Sequence, residues 1–186
     1  VFYYEKERRD LVTVSGCDLI ESFFEVQKEP DTAFLMTYFA ELIEEFAPVR
    51  AREDVLYRLL LSVLRCLKEG GDSRFAAAYF ETWFLHANGL LPDLSRCHKC
   101  REPLAPGWLG PRRDGAYCSS CAPVRKEEVP AVAQAFIRWA RRNPPPGVCA
   151  LPFAAEEIAR IRRSLQAMIV YHMDREPRTL QFLKAK

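Results

Sequence analysis

The spacing of hydrophobic residues changes period along the chain. Val1-Phe2-Tyr3-Tyr4 and Leu11-Val12-Thr13-Val14 are short runs rich in β-branched and aromatic residues. The charged link Glu5–Asp10 joins them, which reads as a β-hairpin. A lone hairpin is marginal in water, so it packs on other elements or belongs to a larger sheet. From Asp31, a candidate cap, Phe34, Leu35, Tyr38, Phe39, Leu42, Ile43 and Phe46 recur at helical spacing as far as Pro48. A second helix is predicted over about 53–68, with Val55, Leu56, Leu59, Leu60, Val63, Leu64 and Leu67 as its stripe. Gly70-Gly71 stops it. A third starts near Asp72 or Ser73 and carries Phe75, Tyr79, Phe80, Trp83 and Phe84, with Gly89 as its C-cap glycine. Prolines and glycines then mark residues 97–121 as loop and turn. Further helices are predicted over about 129–142, ending before Pro144-Pro145-Pro146, and about 153–173. Wide stripes and short joints describe a helical bundle.

Composition changes this picture little. The 186 residues are 49% hydrophobic and 28% charged, ordinary for a globular protein. Disordered, collagenous and coiled-coil classes are excluded as global descriptions. No apolar run approaches the ~18 residues that a membrane span needs. The first nine residues lack the basic, apolar and small order of a signal peptide, and there is no initiating Met. This fits a chain whose beginning has been cut away or was never included.

Charge adds more. The net charge of +2 conceals 10 Lys/Arg against 17 Asp/Glu in residues 1–95, and 17 against 8 in residues 96–186. Two surfaces with two tasks are implied. The basic half suits nucleic acid, an anionic membrane surface or an acidic partner, or simply forms solvated helix backs.

Cysteines supply the strongest chemistry. Of seven, Cys97, Cys100, Cys118 and Cys121 form C-x2-C, 17 intervening residues and C-x2-C. Each turn can aim two thiolates at one point, and four thiolates close a tetrahedral Zn2+ site. One structural zinc ion without an open position for water is expected. Trp108, Leu109 and Tyr117 would pack the ribbon, and His98 would be an exposed ribbon residue. The competing redox use of a single C-x2-C needs a βαβ setting that the pattern lacks. Cys17, Cys66 and Cys149 are expected as small buried hydrophobes.

In the basic half, Arg138, Arg141 and Arg142 fall opposite Val132, Phe136, Trp139 and Ala140. On the following helix Arg160 and Arg163 point away from Ile158, Ile161, Leu165, Met168 and Ile169, and Arg162 flanks that face. Arg112, Arg113, Arg125 and Lys126 lie in or just after the cysteine segment. Guanidinium groups grip phosphates with paired donors. These nine residues (Arg162 excepted) are candidate DNA contacts, with salt-sensitive and sequence-tolerant affinity. No phosphate loop, G-x-S-x-G elbow or H-E-x-x-H motif occurs. Carboxylates such as Glu41, Glu44 and Glu45 read as solvent-facing, so catalysis is not expected.

The stretch Phe80-Glu81-Thr82-Trp83-Phe84-Leu85-His86-Ala87-Asn88-Gly89-Leu90-Leu91-Pro92-Asp93-Leu94-Ser95-Arg96-Cys97-His98-Lys99-Cys100 resembles the entry to the zinc finger of the bacterial RecO family of recombination mediators. Tyr117-Cys118-Ser119-Ser120-Cys121 matches its second cysteine pair. Arg175-Glu176-Pro177-Arg178-Thr179-Leu180-Gln181-Phe182-Leu183 is similar to the family's closing segment. The resemblance implies a mainly α fold: a remnant hairpin and linker of an OB-fold over 1–28, then a helical domain over 29–186 with a zinc finger at 97–121. It implies binding of single- and double-stranded DNA, strand annealing, and RecA loading with RecR in DNA repair, in the bacterial cytoplasm at the nucleoid. It also implies docking of the acidic C-terminal tail of the single-stranded-DNA-binding protein, and no membrane partner. The alternative from the residues alone is a zinc-stabilised helical scaffold whose basic half binds an acidic peptide rather than DNA.

Overall fold

A computed structural model describes residues 2–5, 12–48, 52–104, 106–145 and 152–184. The N-terminal hairpin pairs β1 (Phe2–Glu5) with β2 (Val12–Gly16) in antiparallel register, Tyr3 opposite Val14 and Glu5 opposite Val12. Both strands run past their expected ends, to Glu5 and Gly16, and Val1, Leu11 and residues 6–10 of the link lie outside the described residues. A short helix α1 (Phe24–Gln27) follows. One turn is too short to show a period, which is why the sequence pattern missed it.

Helix α2 (Pro30–Phe46) begins one residue before the expected cap. Pro30 occupies its first turn, Glu29 the cap position, and Asp31 lies inside the helix. A proline at this place loses no hydrogen bond and pre-sets the helical φ. Helix α3 (Asp54–Lys68) buries Leu56, Leu59, Val63, Leu64 and Leu67. Val55, expected in that stripe, is 57% exposed. Cys66 faces the core, while Cys17 is exposed against expectation because the linker carrying it lies outside the core. Cys149 falls outside the described residues.

Helix α4 (Ser73–Ala87) is capped by Asp72, whose carboxylate accepts from the backbone N–H groups of Arg74 and Phe75 at 2.9 Å. It ends at Gly89, φ +69°, where Leu90 N–H donates to the Leu85 carbonyl at 2.8 Å. Only glycine adopts this conformation at no steric cost. Helix α4 is buried from Phe75 to Leu85 except for half-buried Trp83. A helix enclosed on nearly every side is a core rod, not a surface amphipath. It packs against α2, α3, α5 (Val132–Ala140) and α6 (Ala155–Met173). Ring contacts knit the assembly: Phe39 stacks on Phe80 at 4.0 Å, and Phe75 meets Phe136 and Trp139 edge-on.

Helix α5 is shorter than expected. Val129 belongs to a strand, because Pro130 drives the residue before it into extended backbone. Arg141 and Arg142 lie past the helix end. In α6, Ile158, Ile161, Leu165, Met168 and Ile169 are buried as expected. A final helix α7 (Leu180–Lys184) returns to α2, with Phe182 stacked on Phe34 at 5.2 Å. No helix among the described residues is long and apolar enough to cross a membrane.

Two polar clusters join helices, one on a residue the sequence pattern did not address and one against the sequence expectation. Glu81, fully buried on α4, is held by Arg162 Nη2 at 2.9 Å, by Gln166 Nε2 at 3.1 Å and by the Tyr38 hydroxyl at 3.2 Å. Burial, followed by the adjacent Glu81 charge, pushes the Tyr38 hydroxyl well above its ordinary pKa. Glu41 is not solvent-facing either. It accepts from Arg175 Nη1 at 3.0 Å, from Arg178 N–H at 2.8 Å, and from the Thr179 N–H and hydroxyl at 3.0 and 2.6 Å. Desolvation opposes its ionisation, but the hydrogen bonds from Thr179, Arg178 and Arg175 outweigh it and hold the carboxyl at about 2. Glu45 pairs with Arg175 at 2.7 Å, and Glu44 is exposed as expected.

Two outcomes follow from these clusters. Arg162→Ala strands the Glu81 charge and should lower unfolding free energy by roughly 3–5 kcal/mol in denaturant titrations. The double variant Glu81→Met, Arg162→Met should recover most of that loss; an Arg162→Ala protein as stable as the parent would contradict the pairing. Glu41 has a depressed folded pKa, so its contribution to stability is complete above the ordinary value of 4.5 and fades as pH falls toward 2. In Glu41→Gln, denaturation midpoints at pH 5 and pH 2.5 should therefore differ less than in the parent chain.

Candidate metal centre and basic surface

The cysteine segment leaves α4 through Leu90–Ser95. Asp93 Oδ1 accepts from the Ser95 N–H and hydroxyl at 2.8 and 2.5 Å. The first C-x2-C turn closes when Arg101 N–H donates to the Cys97 carbonyl at 2.9 Å and Cys97 N–H to Glu102 at 2.8 Å. Arg101 takes a left-handed conformation, φ 66°, to complete it. The second turn forms when Cys121 and Ala122 N–H donate to the Cys118 carbonyl. His98 N–H donates to the Ala116 carbonyl at 2.8 Å, and Cys118 N–H reaches Cys97 Sγ at 3.4 Å, so the two turns face each other.

The four sulfurs lie within 4.8 Å of one another, and Cys100 Sγ is 3.8 Å from Cys118 Sγ. Four ligands at ~2.3 Å around a tetrahedral ion stand about 3.8 Å apart, so the cluster has the size of a metal site. Its acid–base behaviour agrees. Desolvation opposes ionisation of Cys97, but backbone N–H groups of Cys100, Cys118 and Lys99 overcome it and bring the thiol to about 6. Hydrogen bonding with Cys118, then burial and the other two thiols, pushes Cys121 up to about 12. Without a cation the neighbouring thiols raise Cys100 and Cys121 above the ordinary thiol value; a divalent ion removes that conflict. Cys97, Cys100, Cys118 and Cys121 can therefore hold a metal ion.

Where loop and turn were expected, the segment builds a small antiparallel sheet of order β4-β3-β5: β4 (Ala116–Tyr117), β3 (Gly107–Leu109) and β5 (Glu128–Val129). Strands of two or three residues carry no readable period, and the last lies beyond Cys121. Gly107, Leu109, Ala116 and Val129 are buried, as Leu109 packing was expected to be. Trp108 pairs with Tyr117 on one side and Glu128 on the other. Gln134 of α5 donates to the Leu94 and Leu104 carbonyls at 2.9 and 3.0 Å and anchors the segment to the bundle. His98 is exposed, with its ring 5.5 Å from that of Tyr117. Gly115 is obligatory, because a Cβ there would meet the His98 side chain at 2.6 Å.

The nine basic candidates divide into two groups. Arg113 turns inward, donating to the Gly110 carbonyl at 3.0 Å and facing Glu127 at 3.9 Å. Arg125 donates to the Ser119 carbonyl and lies over the Trp108 ring at 5.3 Å. Arg160 pairs with Glu128 at 2.7 Å. Arg112, Lys126, Arg138, Arg141, Arg142 and Arg163 are exposed and make no ion pair among the described residues. Arg138 and Arg141 rim an open pocket of about 480 Å³ whose apolar lining includes Leu91, Pro92 and Ile137. That pocket joins α5 to the segment before Cys97, so no local sequence signal could have located it.

Comparison with known proteins places this arrangement among relatives. Residues 27–181 match the family described as recombination protein O C terminal. The DNA repair protein RecO of Koribacter versatilis is 27% identical over 184 residues, spanning 98% of this chain and 75% of that protein. Those of Pelotomaculum thermopropionicum and Desulforudis audaxviator are each 30% identical. They span 94% and 95% of this chain and 69% and 72% of their own lengths.

Proposed function

Because this chain belongs to the RecO family of DNA repair proteins, we propose that it binds single- and double-stranded DNA as a recombination mediator. The observation that carries this reading is that six of the nine candidate basic side chains, Arg112, Lys126, Arg138, Arg141, Arg142 and Arg163, are exposed and make no ion pair among the described residues. Arginines screen phosphate repulsion between two strands, and base pairing then drives annealing without bond chemistry. We assign the protein no catalytic role. Loading of RecA together with RecR, in the bacterial cytoplasm at the nucleoid, completes the reading. In the domain reading, residues 1–28 are the end of an OB-fold and 29–186 the helical domain with its finger at 97–121.

Zinc is the proposed ion at Cys97, Cys100, Cys118 and Cys121, since four thiolates suit a soft, closed tetrahedral site. The ion supplies cross-linking only, fixing the finger on the bundle. The pocket rimmed by Arg138 and Arg141 favours a second reading for part of the surface. An apolar floor with a basic rim fits the acidic C-terminal tail of the single-stranded-DNA-binding protein.

Cys97→Ser should lose stoichiometric zinc by elemental analysis and melt roughly 5–10 °C lower, the equivalent of a few kcal/mol at this chain length. Full metal content with an unchanged melt would refute the four-thiolate site. Arg138, Arg141 and Arg142 changed together to Ala should leave the fold intact. The slope of log affinity for single strands against log salt should fall by about 2, as expected for three phosphate contacts. Unchanged DNA binding with loss of the acidic tail peptide would instead assign these arginines to the scaffold reading.

A further inference from the structure

The outward row of the finger sheet takes no part in the thiol cluster. Directly paired residues on neighbouring strands share one face. Tyr117, Trp108 and Glu128 therefore stand side by side opposite the buried face of Gly107, Leu109, Ala116 and Val129. Both residues are half-buried; Tyr117 also packs against the core and beside Gly110, and neither residue is fully enclosed. The single carboxylate in the row is neutralised by Arg160 at 2.7 Å. The Arg125 guanidinium lies over Trp108 at 5.3 Å, and His98 flanks Tyr117.

We propose that this row is a stacking platform for unpaired DNA bases, with Trp108 and Tyr117 as the platform and Arg125 as a planar extension of the Trp108 column. The proposal rests on the DNA-binding reading above and deepens it. Nucleobases stack on aromatic rings and on guanidinium planes with little regard to sequence. Charge complementarity favours a nucleic-acid strand. Residues 96–126 carry seven Lys and Arg against Glu102 and Asp114. Even with the double negative charge of four thiolates around Zn2+, that stretch stays positive. Arg112 and Lys126, exposed and unpaired among the described residues, supply phosphate contacts beside the row. A duplex hides its base faces, so such a platform prefers single strands, which a uniform field of arginines does not.

The test compares fluorescence anisotropy of the whole chain with labelled oligothymidine and with an abasic deoxyribose-phosphate chain of equal length, at one salt concentration. Stacking should make the oligothymidine complex tighter by about 5- to 150-fold for each stacked base. Trp108→Ala should bring oligothymidine down toward the abasic chain while abasic binding stays constant, and Trp108→Phe should keep most of the preference. Lys126→Ala should weaken both polymers together. Equal affinity of the unaltered chain for the two polymers, with binding still salt-sensitive, overturns the platform and leaves the DNA-binding reading standing. Failure to bind either polymer overturns both.

Discussion

Helix α4 gives almost no surface to water, and the architecture follows from that. Ten of its side chains are buried, including three successive alanines and three phenylalanines. The alanines permit close approach of neighbouring backbone, while the phenylalanines fill the space between α2, α5 and α6. Such a helix is stable only when other helices enclose it, so the bundle and α4 form together. It also sets the geometry of the finger. Gly89 ends the helix with a left-handed turn, and the first cysteine follows eight residues later. The cysteine cluster is thus tied to the most deeply buried element among the described residues, and Gln134 fixes the segment again from α5.

Enclosure of α4 creates an electrostatic demand. Glu81 stands at its centre, and an unpaired carboxylate there would be costly. Arg162, Gln166 and Tyr38 answer it from two helices far apart in sequence. The pair adds little net stability over well-packed apolar residues, but neither member is dispensable alone. It also aligns α2, α4 and α6 in one register. Arg175 does comparable work at the surface, bringing the closing segment onto α2 through Glu41 and Glu45. Several arginines counted as part of a basic half therefore hold the fold together.

Much of this was legible in the sequence where a long-range pattern existed. Four-cysteine spacing pointed to the cysteine cluster because two C-x2-C turns need only meet in space. Helices of fifteen or more residues were readable because their apolar positions recur over several turns. Glu81 was not readable as buried, since its partners are 81 and 85 residues away. Glu41 likewise depends on Thr179 and Arg178, which no local pattern connects to it. The finger sheet escaped because its strands are shorter than any period, and the start of α5 because Pro130 and the sheet compete for Val129. Charge asymmetry was visible, but the division between paired and unpaired arginines required their neighbours.

That division shapes what the basic half can do. A guanidinium already held by a carboxylate must break that contact before gripping a phosphate, whereas an exposed one only sheds water and counterions. Arg160 therefore acts first as a strut between the finger and the body of the fold, Arg113 braces the finger itself through Gly110 and Glu127, and Arg112, Lys126, Arg138, Arg141, Arg142 and Arg163 make no ion pair among the described residues. The strut matters to this last group. Glu128 belongs to the finger sheet and Arg160 to α6, so their pairing holds the sheet against the helix that also carries Arg163. A metal ion that stiffens the finger would act in the same direction. Fixed positive groups bind a flexible strand with less loss of side-chain freedom than mobile ones. Under the proposed function the cysteines would serve polyanion binding through rigidity alone, without touching the strand.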